Sequence, residues 1–370
     1  MARRRNATIR RIAITAGGGD APGLNAVLRG VVMTAHRHGW ECVGVRNGYD
    51  GLLDARLRKT GMVQLTPERV SGITNTGGTI IGTSNAGNPF KYPVQTAKGP
   101  EERDLSKKVL DTLAHAGIDA LVAIGGDGSM RVARRLADLG LRVVGVPKTI
   151  DNDLEETVIT FGFDSAVSFA TDCIDRLHTT AASHRRVMVV EVMGRYAGWI
   201  ALNSGVSGDA HAVLIPEIPY DIGKVAAALL RRERDGAQHC IVVAAEGAAP
   251  GGGTALTLEK PPGRPVRLGG IGERVAAQLA ALTGKESRHV VLGHLLRGGP
   301  PTTFDRLLSL RFGAAAVRAL AEGHSGVMVA LDPPTVRYVP LAKATQRMKS
   351  VPLDCDTIRT ARDLGICFGD

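Results

Sequence analysis

Two loops rich in glycine and aspartate, each placed directly after a run that reads as a buried strand, limit this chain to one broad class of fold. Gly125-Gly126-Asp127-Gly128-Ser129 follows Asp119–Ile124, and Pro147-Lys148-Thr149-Ile150-Asp151-Asn152-Asp153 follows Leu141–Val146. Short apolar runs that end in such loops and feed amphipathic stretches are the mark of βαβ units. The same alternation recurs along the chain. Strands are expected at Arg11–Ala16, Glu41–Arg46, Arg186–Met193, Ala212–Pro216, Cys240–Ala245 and His289–Gly293. Helices are expected from Gly23 to about His38 and at Asp104–Ala116, Ser165–Ser183, Asp221–Arg234 and Gly272–Leu282. The fold class is therefore α/β with mainly parallel sheets, and 370 residues suffice for two ordinary domains. Ser71–Pro89 and Ala248–Val266 read as loops.

The two loops sit at strand C-terminal ends, where open α/β sheets place their ligands. The first offers backbone N–H groups for phosphate oxygens and a carboxylate for a metal. The second puts Asp151 and Asp153 on one short turn beside a hydroxyl and an ammonium. Metal carboxylate, proton acceptor, cation and phosphate cradle together suit phosphoryl transfer.

Charge and cysteine content narrow the partners. The formal net charge is +10, yet the basic residues are dispersed apart from an N-terminal arm and Arg231–Arg234, and aromatics are few. Nucleic-acid binding would need a clustered basic face; anionic sugar phosphates and nucleotides fit better. Apolar runs are broken by charge before membrane-spanning length, and Met1–Arg11, with five arginines, has no apolar stretch after it. The five cysteines are odd in number and never closely spaced, which suits a reduced cytoplasmic protein without a zinc pattern.

Together with Met193-Gly194-Arg195-Tyr196-Ala197-Gly198 and Gly293-His294-Leu295-Leu296-Arg297-Gly298-Gly299, the two loops resemble the phosphofructokinase family, and the resemblance runs from about Ile12 to about Gly313. It implies two Rossmann-like domains with the active site in the cleft between them. Residues 1–162 plus 296–340 would form the phosphoryl-donor domain, 163–295 the fructose 6-phosphate domain, and 341–370 a C-terminal segment. It implies a glycolytic 6-phosphofructokinase acting with Mg²⁺. The alternatives are the pyrophosphate-dependent version, a sedoheptulose 7-phosphate kinase and a non-catalytic sugar-phosphate sensor.

On the donor side, Gly17–Gly23 joins the first strand to the first helix. Read alone, it serves a tight turn and a phosphate equally well. The resemblance raises the second reading through Asn25 and Arg29, and assigns Gly18, Gly19, Tyr49, Gly126, Asp127, Gly128 and Ser129 to the donor, with Asp127 as the magnesium ligand. Asp127 read by itself could equally be a helix cap. Gly128 leaves room for a nucleotide's α-phosphate, where an aspartate would favour pyrophosphate. Lys148 also occurs in pyrophosphate-using relatives, and Asn85 stands where many ATP-dependent members carry arginine. Lys148 is expected to replace part of that missing cation.

On the acceptor side, Asp151 is the expected base, since a primary hydroxyl needs a carboxylate to take its proton. Thr149 would hold the transferring group, and Asp153 would assist. The resemblance makes Arg195 the transition-state cation, with Met193, Gly194, Glu246, His294 and Arg297 binding the sugar phosphate, Arg297 at the 6-phosphate. Arg186 and Arg288 match residues that reach into a neighbouring subunit's site, so a homodimer or homotetramer is implied. His178 and Asp235–Gln238 stand where bacterial members carry the cations of an effector site.

Overall fold

The computed structural model describes residues 8–57, 59–96, 99–259 and 267–370, and the N-terminal arm's first seven residues lie outside them. The chain divides into two compact units. One comprises Met1–Thr149, Leu154–Gly162 and Arg297–Met348; the other comprises Ile150–Asp153, Phe163–Leu296 and Lys349–Asp370. The C-terminal stretch expected as one segment, 341–370, is thus shared, its first eight residues going with the first unit. The turn Ile150–Asp153 is assigned to the second unit although both its flanks belong to the first.

The first unit is built on seven strands. From one edge they run Thr335–Pro340, Val327–Asp332, Val143–Pro147, Ala120–Gly125, Arg11–Ala16, Glu41–Val45 and Met62–Leu65. The five inner strands are parallel, and each edge strand is antiparallel to its neighbour. Inner strands such as Ala120–Gly125 are buried throughout, as a sheet covered on both faces demands. One face packs against the helices Leu24–Arg37 and Thr303–Ala321 through Val27, Leu28, Val31, Leu308 and Phe312. These two helices meet so closely that a Cβ on Gly30 would lie 2.7 Å from the Leu310 carbonyl oxygen. The other face packs against Ser106–His115 and Asp127–Asp138 through Val109, Leu113, Met130, Ala133 and Leu136.

The second unit carries a four-stranded parallel sheet in the order Ser287–Val291, Val187–Val192, Cys240–Ala245, Ala212–Leu214. Helices Ile222–Arg234 and Ile271–Thr283 cover one face through Val225, Leu229, Val275 and Leu279. Phe163–His184 and Trp199–Ser207 pack on the sheet as well. Glu191, buried within a strand, fastens the helix Ile271–Thr283 by accepting hydrogen bonds from the amides of Gly270 and Gly272, at 3.2 and 2.8 Å.

Most expected elements are present within two residues. Ala248–Val266 is only partly loop: Thr257–Glu259 pairs antiparallel with Arg267–Leu268, and 260–266 lie outside the described residues. Elements without a sequence expectation include the helices Trp199–Ser207, Thr303–Ala321 and Asp356–Asp363, the ribbon Tyr92–Thr96 with Gly99–Arg103, and the strands Met62–Leu65, Val327–Asp332 and Thr335–Pro340 of the larger sheet.

Candidate functional site

In the seven-stranded sheet the chain runs outward in opposite directions from Arg11–Ala16 and Ala120–Gly125, so the switch point lies between these neighbours. The loops that leave them are Gly17–Gly23 and Gly126–Ser129, which places the expected donor residues where such sheets bind ligands. The two loops interlock. The Gly17 amide donates to the Ile124 carbonyl at 2.9 Å, and a Cβ on Gly17 or Gly125 would collide with the Ser129 side chain. Gly18, at φ 82, holds a conformation that side chains other than glycine rarely adopt. Its amide donates to the Ser84 carbonyl at 3.0 Å, which brings exposed Asn85 to the margin of the loop.

Asp127 is the first residue of its helix, and Gly126, not Asp127, is the cap. Its helix presents the amides of the first turn, which have no intrahelical acceptor, to an incoming anion. The carboxylate is held by a residue that sequence reasoning missed. Arg131 Nε, one turn on, lies 3.1 and 2.8 Å from its two oxygens. The i, i+4 spacing of Asp and Arg is the signal that could have found it. An exposed helical pair of this kind is worth about 0.3–0.5 kcal/mol, so a divalent cation can displace it. One carboxylate also fits Mg²⁺, which fills the rest of its octahedron with phosphate and water. Nothing lies within 4 Å of where a Cβ on Gly128 would stand, and the residue is exposed.

Lys148 is tied to the glycine loop as well as to its own segment. It is only 3% exposed, and its ammonium donates to the Gly17 carbonyl at 2.9 Å and also to that of Gly19. It braces the glycine loop from below. Arg297 ends the short 3-10 helix Gly293–Arg297 that also carries His294, and it donates to the Asp20 carbonyl at 3.2 Å, with its guanidinium against Gly19. Arg297 thus touches the Gly17–Gly23 loop, a contact that its own motif does not announce. Tyr49 is buried in the apolar cluster with Val45, Leu52, Leu53 and Phe90, and burial pushes its phenol pKa up. Asn25 and Arg29 serve the loop 71–89: Asn25 binds Thr76, Gly77 and Ile80, and Arg29 donates to the Val70 carbonyl at 3.0 Å.

Thr149 ends the first unit's share of the second signature segment, beside Gly126, whose Cβ would lie 3.8 Å from that of Thr149. Its carbonyl accepts from the Thr160 hydroxyl at 2.7 Å. Asp151 and Asp153 flank Asn152, which is 4% exposed and left-handed at φ 51. Asparagine tolerates that region better than most residues do.

In the second unit the expected acceptor residues gather at one edge of the parallel sheet. Met193-Gly194-Arg195 follows one strand, Glu246 the adjacent strand, and His294 the strand on the other side. The Glu246 amide donates to the Val192 carbonyl at 2.9 Å and the Gly247 amide to that of Gly194 at 3.1 Å, so the two loops lie side by side. A Cβ on Gly247 would overlap the Arg195 carbonyl. Arg186 and Arg288 stand at the opposite, N-terminal end of these strands and share Glu286, at 3.1 and 2.8 Å. Six strand residues separate Arg186 from the Met193 loop, roughly 20 Å.

His178 is closed into a network on that same far side. Its Nε2–H donates to the Gly208 carbonyl at 2.8 Å, so its Nδ1 accepts from His239 Nε2, 3.0 Å away. His211 completes a group of three rings with centroids 5.3–5.9 Å apart.

The phosphofructokinase profile matches residues 11–320. An ATP-dependent 6-phosphofructokinase of Chloroflexus aurantiacus is 49% identical, over 97% of this chain and 98% of that one. A pyrophosphate–fructose 6-phosphate 1-phosphotransferase of Amycolatopsis mediterranei is 50% identical, over 93% of this chain and 97% of that one. Among solved structures, T-state phosphofructokinase from Pichia pastoris superposes with a TM-score of 0.79 at 31% identity, covering 92% of this chain and 36% of that longer one.

Proposed function

Because the chain belongs to the phosphofructokinase family, we propose that it transfers the γ-phosphoryl group of ATP to the 1-hydroxyl of fructose 6-phosphate. The observation that carries this reading is the donor cradle at the sheet's switch point, with open space beside Gly128. The amides of the first turn of the Asp127 helix bind donor phosphates. Asp127 would hold Mg²⁺, which neutralises charge on the transferring group when bound. Asp151 takes the proton of the attacking hydroxyl, and Arg195 grips the phosphoryl oxygens in a planar fork. Glu246 and His294 orient the sugar. A cytoplasmic site of action is part of the same proposal and is supported by five free cysteines. No helix among the described residues is long and apolar enough to cross a membrane.

Pyrophosphate is the second reading of the donor, favoured by the Amycolatopsis mediterranei relative at 50% identity. A coupled assay of fructose 6-phosphate with ATP, ADP and pyrophosphate decides between them. ATP should give the highest kcat/KM; preference for pyrophosphate overturns the donor assignment. Because Gly128 is exposed with nothing near its missing side chain, Gly128→Asp should fold normally. The variant should lose the ATP rate by about tenfold or more, since a carboxylate placed there repels the nucleotide's phosphate, while pyrophosphate activity holds or rises. Equal losses with both donors would refute the role of this position.

We further propose that active sites are shared between subunits. Arg186 and Arg288 lie a full strand length from the acceptor edge of their own chain, and such a position suits completing a neighbour's sugar-phosphate site. Specific activity should collapse on dilution to monomer, as followed beside sedimentation velocity. A fully active monomer would refute this.

A further inference from the structure

We infer that Lys349 and Glu217 are positioning residues of the proposed reaction: a strap of the C-terminal segment, Lys349–Val351, fastens the turn that carries Asp151 to the loop that carries Arg195. The inference rests on the phosphotransferase reading above and goes beyond it, because neither residue belongs to a signature motif.

All the partners belong to the second unit. Lys349 meets the Asp151 turn twice. Its ammonium donates to the Asn152 side-chain oxygen at 3.1 Å, and its amide donates to the Asp153 carbonyl at 2.9 Å. These bonds bracket the one residue of the turn with a left-handed backbone. A partly buried side chain and a main-chain group of Lys349 thus favour that conformation over the extended one, and the conformation sets where the flanking carboxylates stand.

The same lysine then reaches the arginine loop. Its carbonyl accepts from Trp199 Nε1 at 3.2 Å, and its ammonium lies 5.4 Å from the Trp199 ring centroid, within the range of a cation–π attraction. Trp199 opens the helix that directly follows Met193–Gly198. Two residues further along the strap, the Val351 amide donates to Glu217 Oε1 at 2.8 Å. The same carboxylate accepts from the Gly198 amide, 3.1 Å from each oxygen. Glu217 lies just beyond the strand Ala212–Leu214, at the same edge of the sheet as Arg195 and Glu246. One carboxylate therefore holds the end of the arginine loop and the end of the strap together.

Phosphoryl transfer gains its rate from positioning, and a misplacement of about 1 Å can cost about 10²-fold. A base on a turn and a cation on a loop need a common brace, and this strap supplies it with five hydrogen bonds from three residues' worth of chain and Glu217. Substrates need not touch it, so its loss should appear in turnover and leave binding intact.

The test uses the full-length enzyme with Lys349→Met, which keeps the aliphatic stem on Trp199, and with Lys349→Arg and Glu217→Gln. Lys349→Met should lower kcat by about tenfold or more, while KM for fructose 6-phosphate and for ATP changes less than about threefold and Tm moves little. Lys349→Arg, which retains a donor and a cation over the indole, should restore most of kcat. Glu217→Gln should lower kcat in the same way, and the double variant should lose less than the product of the two losses, because both act on one strap. Amide exchange at 150–153 should quicken in Lys349→Met, a readout independent of activity. Faster exchange in an enzyme without phosphotransferase activity would defeat the functional reading and not the strap. Unchanged exchange with kcat within twofold of the parent would overturn the inference, as would a kcat loss that follows Tm and is not restored by arginine.

Discussion

Asp151→Ser should lower kcat by about 10²-fold or more, with KM for fructose 6-phosphate changed only a few-fold. The sugar's primary hydroxyl is a weak nucleophile, and its proton must leave as the new P–O bond forms. Asp151, the base of the proposed function, sits on a turn that contains left-handed Asn152 and is bonded to Lys349. Serine keeps a short polar side chain on that turn, and a circular-dichroism melt beside the kinetics separates a loss of the base from a loss of the fold. In the proposed function the sugar is gripped by other residues at the sheet edge, hence the small effect expected on KM. Steady-state kinetics with saturating ATP check this. A variant within a few-fold of the parent's turnover would assign the proton to another group.

The second large effect is on stability in acid. Burial, then Arg232 and His178, push the His211 pKa down to about 4 from the ordinary 6.5. Its Nδ1 accepts the Ile241 amide at 2.8 Å, so the folded protein holds this ring neutral. Asp209 opposes the shift and His239 adds to it. Below pH 6.5 the unfolded chain takes up a proton that the folded chain refuses, and stability therefore falls as pH falls from 6.5 toward 4. Above about pH 7 this group has no effect. The loss should reach about 2 kcal/mol at pH 5 and on the order of 3 kcal/mol at pH 4. His239, also pushed down by burial, adds in the same direction. Amide exchange in the strand Cys240–Ala245 reads this unit alone. His211→Asn, which keeps an acceptor for Ile241, should flatten the pH dependence by about that amount. Equal slopes in parent and variant would sink the assignment.

The strand-end position of the signature loops was legible because glycine, aspartate and strand-end spacing report local backbone geometry. Gly18 and Gly125 admit no other side chain for reasons a single loop contains. What was hidden depends on residues far apart in the chain. Lys148 carries contacts that its own segment does not announce, since its ammonium donates to the Gly17 and Gly19 carbonyls. The contact of Arg297 was hidden for the same reason: its partner, the Asp20 carbonyl, is 277 residues away. Strand Val327–Asp332 and helix Thr303–Ala321 lie largely beyond the quoted motifs, and the helix is apolar on too many sides to give a clear stripe. Lys349 has no motif at all. Its role emerges from four groups that only the fold brings together.

The larger sheet also shapes how the chain can be made. Strand Val143–Pro147 takes its outer neighbour from Val327–Asp332, about 180 residues later. On a ribosome adding roughly 5–20 residues each second, that edge waits for roughly 10–40 s with its N–H and C=O groups open to any passing strand. The interval is filled by synthesis of the whole middle of the second unit, residues 163–296. Growing chains on one message thus carry matching open edges at the same time. Chaperone demand during synthesis should be set by this unclosed sheet, and should fall in a circular permutant that delivers Val327–Pro340 before Val143–Pro147.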